Sequence, residues 1–441
     1  MIIAPGATLG SPGNTNTLYL NNGTLAGSGT VNANVSNNGQ VAPAAGGGSL
    51  ILNGNYVQGS SGTLSIGLAG RAAGTGYSQL VANGGVTLSG SVAVSLTFLS
   101  AVGDQFAILH DGGSAAIYGT FAGGSVILVN GQRFQIRYVA GQDVVLTHLN
   151  TPPTLANVAV TSPINEGSTA TLTSNIVDPD PLDTHTLVVN WGDGSSPQTF
   201  TFGAGSLPFS VSHRYLDNPA GQPSGSFAIA VQVTDSNGGQ GSGTASVQVR
   251  NVAPTVGAVT APVAPVLVGT AVSASASFTD PGILDTHTAV WNWGDNTTSA
   301  GTVTETSGSG SVTGSHTYSA DGIYTVTLTV TDKDGASGQS VYRYVVAYNP
   351  EAGFVTGSGR FDSPAGAYPA NPALTGDAQF GFRVGYDPSG TVPEGHVRFN
   401  FQPAGLDFDS TSLDYLVITG GQAPRSRARA PSTAPATMAS S

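Results

Sequence analysis

The sequence predicts an all-β chain of several successive bodies, and three observations predict it. Of 441 residues 62 are glycine, and Thr, Val, Ser and Asn fill much of the rest. Glycine costs a helix about 1 kcal/mol relative to alanine, and Thr and Val also score below alanine; the same residues suit strands and turns. Apolar side chains alternate with polar ones along short runs bounded by Gly, Pro and Asn, the two-residue period of a half-buried strand. A set of motifs also recurs at a fixed offset of 102 residues, so part of the chain is one domain repeated. At about 100–200 residues per domain, the length allows two to four domains.

Composition excludes several functions. The chain has no cysteine, hence no disulfide framework, no thiolate metal site and no cysteine nucleophile. Its seven histidines include no His-Glu-x-x-His or His-x-x-x-His spacing. Lys333 is its one lysine, and a net charge of −12 opposes nucleic-acid binding, which needs clustered Lys and Arg. No apolar run reaches the length of a membrane-spanning helix. Met1 to Ala4 lacks the basic start and apolar stretch of a signal peptide. Taken literally, such a start predicts a cytosolic chain; the resemblance described below for residues 45–148 implies instead a fragment of a longer exported protein, with Met1 an internal or mispredicted start.

Residues 1–70 carry short alternating runs punctuated by Asn22-Gly23, Asn38-Gly39 and Asn53-Gly54. Stacked β-solenoid rungs, each burying its face only against its neighbours, account for this pattern. A string of Asn-Gly hairpins accounts for it as well. Residues 71–150 read as a β-rich cap. Ser91 to Phe98 alternates strictly, and Phe106–Leu109, Val126–Val129, Phe134–Tyr138 and Val144–Leu146 follow between Gly-rich turns. Gly54-Asn-Tyr-Val-Gln58, Gly103-Asp-Gln-Phe106, Gly119-Thr-Phe-Ala-Gly123 and Gly141-Gln-Asp-Val-Val-Leu-Thr147 resemble the end of an autotransporter-type β-solenoid passenger. The resemblance covers about residues 45–148 and implies a bacterial surface protein.

Thr151-Pro152-Pro153 marks a boundary, since two prolines stop a strand and stiffen a linker. Beyond it Asp178-Pro179, Leu182-Asp-Thr-His185 and Asn190-Trp-Gly-Asp193 recur as Asp280-Pro281, Leu284-Asp-Thr-His287 and Asn292-Trp-Gly-Asp295. His213-Arg-Tyr215 matches His316-Thr-Tyr318, and Val233-Thr-Asp235 matches Val330-Thr-Asp332. A repeat of this length, with short strands, an early Trp and a later Tyr, fits an immunoglobulin-like sandwich, placed at 152–252 and again at 253–348. The Trp-Gly-Asp, His-x-Tyr and Thr-Asp-x-x-Gly motifs resemble the PKD family of Ig-like domains. Residues 349–422 alternate again and resemble a small β-module that often trails such repeats, truncated here. Residues 423–441, all Ala, Pro, Arg, Ser and Thr apart from one Met, are expected to be a disordered tail, with a frameshift as a sharper account.

Trp191 and Trp293 are expected as core anchors. Trp291 shares the face of Trp293, and because both cannot easily fill one core position, one is expected near an edge. Asp193 and Asp295 are expected to form turns, and His185, His287, His213 and His316 to be structural, the last two packing with Tyr215 and Tyr318. The acidic loops are the best functional candidates, because the B–C and F–G loops of such a sandwich lie at one end. Asp178, Asp180 and Asp183 stand in the first B–C loop with Asp235 in F–G; Asp280 and Asp285 stand in the second, with Asp332 and Asp334. Clustered carboxylates repel unless a cation or solvent relieves them, and calcium takes 6–8 oxygen ligands. The PKD resemblance implies calcium at this end, with Asp178, Asp180, Asp235, Asp280, Asp332 and Asp334 as ligands; solvated loop acids that bind nothing account for the same residues. The spacing is not that of an EF-hand.

No nucleophile elbow, phosphate loop or dinucleotide fingerprint is present. Glu166, Glu305, Glu351 and Glu394 are scattered over different modules, so no paired-carboxylate glycosidase site is visible. The expectation is a non-enzymatic bacterial cell-surface or extracellular protein acting as adhesin or spacer, requiring no cofactor, with calcium as the one candidate ion. Its partner would be an extracellular polysaccharide or a surface protein. The alternatives are the accessory region of a larger secreted hydrolase, or a polysaccharide-binding module.

Overall fold

The structure, a computed structural model, describes residues 1–113, 116–139, 142–351, 353–387, 392–417 and 425–429. Among these the one helix is a short 3-10 turn, Gln402–Ala404, and no helix is long and apolar enough to cross a membrane. The all-β expectation holds. The chain forms two compact units. One comprises Met1–Ser162, Ala170–His213 and Phe227–Val247; the other comprises Pro163–Thr169, Arg214–Ser226 and Gln248–Ser441.

The first unit begins with strands that pair in parallel. Ile2–Ile3, Thr17–Gly27 and Asn34–Pro43 follow one another in one sheet, and Thr8–Leu9, Thr30–Val31, Gly48–Leu52, Ser78–Ala82 and Gln105–Asp111 in a second. A two-residue Asn-Gly turn would instead join antiparallel neighbours, so the Asn-Gly pairs are not hairpin turns here. Asn53 Nδ2 donates to Asn32 Oδ1 at 2.8 Å, and Asn83 Nδ2 to Asn53 Oδ1 at 2.7 Å, forming a ladder of side-chain amides along the stack. Glycine follows because successive turns approach closely: a Cβ on Gly54 would lie 2.4 Å from the carbonyl oxygen of Ala33. In register, Val31, Leu52 and Ala82 form an inward column with no exposure.

Parallel pairing continues past residue 70. Ser91–Leu96 pairs with Thr63–Leu68, and Val86–Leu88 with Tyr118–Gly119. The change of texture near residue 71 is one of composition, while the inward column of Leu and Val continues. Antiparallel pairing takes over where Asp143–Leu149 joins Gln105–Asp111 and Gln132–Val139.

The first repeat has a sheet of Thr154–Val160, Thr169–Val177 and Leu207–Arg214, and another that includes Gln240–Arg250, Ser224–Asp235, His185–Asn190 and Gln198–Phe202. The second repeat keeps this order and adds an edge strand, Thr302–Thr306, to its first sheet of Thr255–Val256, Ala271–Thr279 and Ser309–Thr317; its other sheet is Val266–Leu267, Ser337–Tyr348, Gly322–Asp332, His287–Asn292 and Thr298–Ala300. Alternate residues of these strands, among them Val272, Val312, Val326, Leu328 and Val330, are fully buried in one core.

The two tryptophans of the second repeat correct an expectation. Trp291 and Trp293 are both fully buried and stack with ring centroids 5.5 Å apart, so neither lies at an edge. Room comes from glycine opposite: a Cβ on Gly314 would lie 2.5 Å from Trp291 Cδ1. The first repeat has Val189 at the equivalent position.

Phe354–Ser363, Gly376–Tyr386, Pro393–Phe401 and Leu406–Asp409 form an antiparallel sheet. Within the stretch expected to be disordered, Arg425–Arg429 is a strand paired with Ser412–Val417, because a ladder uses backbone groups that any composition supplies. The remainder of that expected tail lies outside the described residues.

Candidate metal centre

The loop between Thr169–Val177 and His185–Asn190 belongs to the first unit and is folded by its own carboxylates. Asp178 Oδ1 accepts the amide of Asp180 at 2.8 Å, the side-chain-to-backbone bond by which aspartate makes turns. Asp178, Asp180 and Asp183 each bring a carboxylate oxygen within 4.8 Å of the others, and all three are buried. Protein donors meet most of these oxygens. His185 Nε2 lies 2.8 Å from Asp178 Oδ2 and His148 Nε2 2.8 Å from Asp180 Oδ1, while Asp180 Oδ2 accepts the Thr151 amide at 2.7 Å. His148 is itself fixed by Ser100 Oγ at 3.0 Å and by stacking on Phe134. Asp183 Oδ1 accepts from Asn237 Nδ2 at 2.6 Å, and Asp183 Oδ2 has no partner. Burial raises the Asp178 carboxyl, opposed by its hydrogen bonds.

Asp235 stands apart from this cluster. Its Oδ1 accepts the amides of Asn237 and Gly239, each at 2.8 Å, and its Oδ2 accepts Asn150 Nδ2 at 3.0 Å. Asp332 repeats the arrangement with the amides of Asp334 and Ala336, each at 2.9 Å, and with Asn251 Nδ2 at 3.1 Å. Both close an F–G turn and fasten the linker asparagine before their domain.

The second unit holds the other cluster. Asp280 Oδ1 accepts the Gly282 amide at 2.8 Å, and His287 Nε2 lies 3.1 Å from Asp280 Oδ2. His287 Nδ1 is 2.6 Å from Glu305 Oε2; burial lowers the affinity of this ring for a proton, but the two carboxylates outweigh burial and raise it. Asp280 and Asp285 are joined by Glu166, with one oxygen of each within 4.8 Å of the others, and all three are buried. Asp217, Asp285 and Asp334 form a second such group. Lys333 Nζ bonds to Asp217 at 2.8 Å and to Asp285, and lies 3.4 Å from Asp334.

Of the six expected calcium ligands, the structure brings Asp178 and Asp180 together with Asp183, and Asp280 together with Asp285 and Glu166. Asp334 joins Asp217 and Asp285, while Asp235 and Asp332 serve turns and linkers. Glu166 and Asp217 went unread in the sequence, because each lies more than sixty positions before Asp280 and no spacing links them. Glu166 is not an isolated acid, as its scatter among the glutamates suggested. Burial, joined by its acidic neighbours and opposed by the Val252 amide, pushes its carboxyl up to about 7.

The remaining motif residues are structural in their geometry. His213 stacks on Trp191 and His316 on Trp293, each with centroids 5.0 Å apart. Their Nε2 atoms lie 2.6 Å from Asp193 and 2.7 Å from Asp295. Asp193 and Asp295 also accept the amides of Ser195 and Thr297, as expected of turn formers. His316 meets Tyr318 edge-on at 4.7 Å.

Residues 251–346 match the family model for the PKD domain. This part of the chain is a PKD domain. The repeat before it shares its strand order and its Trp-Gly-Asp and His-x-Tyr motifs with the PKD domain. Among solved structures, the PKD domain of an M14-like peptidase from Thermoplasmatales archaeon SCGC AB-540-F20 is 25% identical, with 23% of this chain and 98% of that one covered and a TM-score of 0.18. Fibronectin(III)-like modules of Clostridium thermocellum CbhA are 14% identical over 44% of this chain and 94% of that one, with a TM-score of 0.18. Red sea bream transglutaminase is 14% identical over 44% and 31%, with a TM-score of 0.20. Likenesses at these TM-scores carry no inference. No curated protein matches the chain.

Proposed function

We propose that the chain is a non-enzymatic, exported spacer or adhesin stalk of the bacterial cell surface, in which tandem sandwiches hold a binding region away from an anchor. PKD domains are typical of extracellular proteins, which supports export. The observation that carries the reading is the treatment of the linkers. Asn150-Thr151-Pro152-Pro153 and Asn251-Val252-Ala253-Pro254 are each fastened by two equivalent bonds: the asparagine amide to Asp235 or Asp332, and the following backbone amide to a buried carboxylate. Prolines limit the remaining freedom. A Cβ on Gly241 or on Gly338 would lie 2.2 Å or 1.9 Å from the carbonyl oxygen of Pro153 or Pro254, so each linker also runs tightly against its domain. A linker fastened through its asparagine side chain and the following amide, and seated on glycine, transmits load; a linker meant to swing would not be tied down. In this reading the carboxylates of the first cluster, met by His148, His185 and the Thr151 amide, serve chiefly as linker fasteners.

Pulling the chain from its ends in a single-molecule instrument tests the proposal. Two cooperative events are expected, each releasing roughly 300 Å of contour for about 95 residues at about 3.3–3.6 Å each. Smooth extension without discrete events would remove the spacer reading, and so would turnover of a peptide or glycan substrate by the purified chain.

A further inference from the structure

The sequence from Met1 to Gly70 contains no Asp, Glu, Lys, Arg or His, and Arg71 is the one charged residue before Asp104. In a chain of net charge −12, the parallel strands of the first unit therefore carry an uncharged surface. A charged partner finds no ion pair there, and a neutral partner strips water from no charge when it binds.

That surface carries an ordered row. Tyr19 pairs in register with Ser36, Ser36 with Val57, Val57 with Thr87 and Thr87 with Tyr118. The chain neighbours Leu20, Val35, Tyr56 and Val86 are buried, so alternation turns the row outward. Tyr19, Val57 and Tyr118 are 67%, 42% and 77% exposed. Exposed apolar residues scattered singly are ordinary, but these three stand in one line. At about 4.7–4.9 Å per strand, the register puts the two tyrosines about 19 Å apart. On the same face, two positions along the strands, lie uncharged hydrogen-bonding groups: Asn34 and Asn55 on one side, Asn21 and Asn38 on the other. Asn34 Oδ1 accepts the Asn55 backbone amide and Asn55 Oδ1 the Gly85 amide, each at 2.8 Å, which holds these carboxamides in place.

The chemistry of the row selects its occupant. A peptide that docks on a sheet adds a strand at an unpaired edge, whereas this row crosses strands already paired to one another. A lipid surface calls for a broad apolar face with basic residues, and the row offers neither. A sugar ring fits: its C–H face lies against the negative face of an aromatic ring, and its rim hydroxyls exchange hydrogen bonds with amides and hydroxyls. A straight row suits an extended chain and not a coiled one.

We propose that this row binds a neutral, extended polysaccharide laid across the strands, with Tyr19 and Tyr118 as stacking platforms and the flanking asparagines as hydrogen-bonding rims. The inference rests on the adhesin reading, whose binding region it names.

The test uses the full chain and two probes, insoluble cellulose and insoluble chitin, both uncharged and extended. At least one of them should deplete the wild type from solution saturably. The affinity should change less than about twofold between about 0.1 M and about 1 M sodium chloride, a range that screens charge interactions. Tyr19→Ala and Tyr118→Ala should each weaken it about three- to tenfold, the scale of one aromatic contact. Tyr19→Phe should bind as the wild type does, and so should Leu128→Ala, an exposed apolar residue off the row. No depletion by either probe, full retention in the double variant Tyr19→Ala with Tyr118→Ala, strong salt dependence, or an equal loss in Leu128→Ala would each overturn the proposal. None of these outcomes alters the discrete unfolding events expected under force, so the stalk reading stands or falls separately.

Discussion

His316 lies flat on Trp293, the ring planes 14° apart and the centroids 5.0 Å apart, with its Nε2 2.7 Å from Asp295. His213 and Trp191 repeat the relationship, with Asp193 as the acceptor. The Trp-Gly-Asp turn and the His-x-Tyr strand are thus one unit, in which the turn presents an acceptor and the tryptophan a platform to a single imidazole. Removing the ring loses a stacked aromatic contact of about 0.5–1.5 kcal/mol and a hydrogen bond to a charged group of about 1.5–3 kcal/mol. Because Asp295 keeps its bonds from Thr297 and some access to water, the lower half of that sum is expected. His316→Ala should therefore lower the stability of the PKD domain by about 2 kcal/mol in urea unfolding followed by tryptophan fluorescence. A change below about 0.5 kcal/mol, the scale of a surface substitution, would show that the stack is incidental.

The same aspartates give acid sensitivity of a defined sign. Burial by itself raises the Asp193 and Asp295 carboxyls. The hydrogen bonds from Ser195 and His213, and from Thr297 and His316, outweigh it and hold both below their ordinary 3.8. A carboxyl depressed in the folded state contributes stability that is present above its unfolded pKa and is lost as pH falls through its folded value. The gap in urea midpoint between wild type and Asp295→Asn should be wide at about pH 5.5 and should close toward about pH 2.5. A gap that stays constant across that range would assign the cost of the variant to shape alone.

Much of the fold was legible in the sequence and some of its meaning was not. The 102-residue offset placed the two repeats, and alternation marked Phe134–Tyr138 and Val144–Leu146 as strands, whose Phe134, Ile136, Val144 and Leu146 are buried, because burial on one face of a sheet leaves a period of two. Asn-Gly was ambiguous, since a hairpin turn and a tight corner of stacked strands both need asparagine and glycine. Only the parallel register of Thr30–Val31 on Ile51–Leu52 separates the two. Glu166 was hidden for a different reason. Its carboxyl lies among Asp280 and Asp285, more than a hundred positions away, and no local spacing reports that.

The amide ladder gives a prediction that distinguishes these two origins of Asn-Gly. In a hairpin, Asp-Gly serves as well as Asn-Gly. In the ladder Asn53 must donate to Asn32 and accept from Asn83, so aspartate loses the donor and faces Asn32 Oδ1 with a negative charge. Asn53→Asp should destabilise the first unit by about 1–3 kcal/mol, the cost of leaving the side-chain oxygen of the buried Asn32 without its donor. Equal stability of the two proteins would mean that the asparagine acts through its backbone conformation and not through its side chain.

Trp291 makes the PKD domain sensitive to single carbon atoms. A methyl group at Gly314 would meet Trp291 Cδ1 and Nε1 at 2.5 Å, and Trp291 cannot retreat because Trp293 is stacked on it. Overpacking of this kind costs about 1–3 kcal/mol. Gly314→Ala should fall in that range, while the neighbouring exposed Ser315→Ala should stay within about 0.5 kcal/mol. A neutral Gly314→Ala would show that the two indoles shift together at little cost.

Asn251 and Asp332 test whether the linker is held or merely adjacent. Asn251 Nδ2 donates to Asp332 Oδ2 at 3.1 Å, while Asp332 Oδ1 is committed to the amides of Asp334 and Ala336. The F–G turn and the linker therefore depend on different oxygens of one carboxylate. Asn251→Ala removes the linker bond and leaves the turn, whereas Asp332→Asn disturbs both. Residues in one hydrogen-bonded network show coupling energies of about 0.5–3 kcal/mol in a double-mutant cycle, and independent sites add within about 0.3–0.5 kcal/mol. The cycle built from Asn251→Ala, Asp332→Asn and the double variant should give a coupling near 1 kcal/mol, because one bond to a partly screened carboxylate is shared. Limited proteolysis should cut Asn251→Ala after shorter exposure, within residues 251–254. Additive stabilities together with an unchanged cleavage pattern would leave the linker unfastened and remove the physical basis for a load-bearing joint.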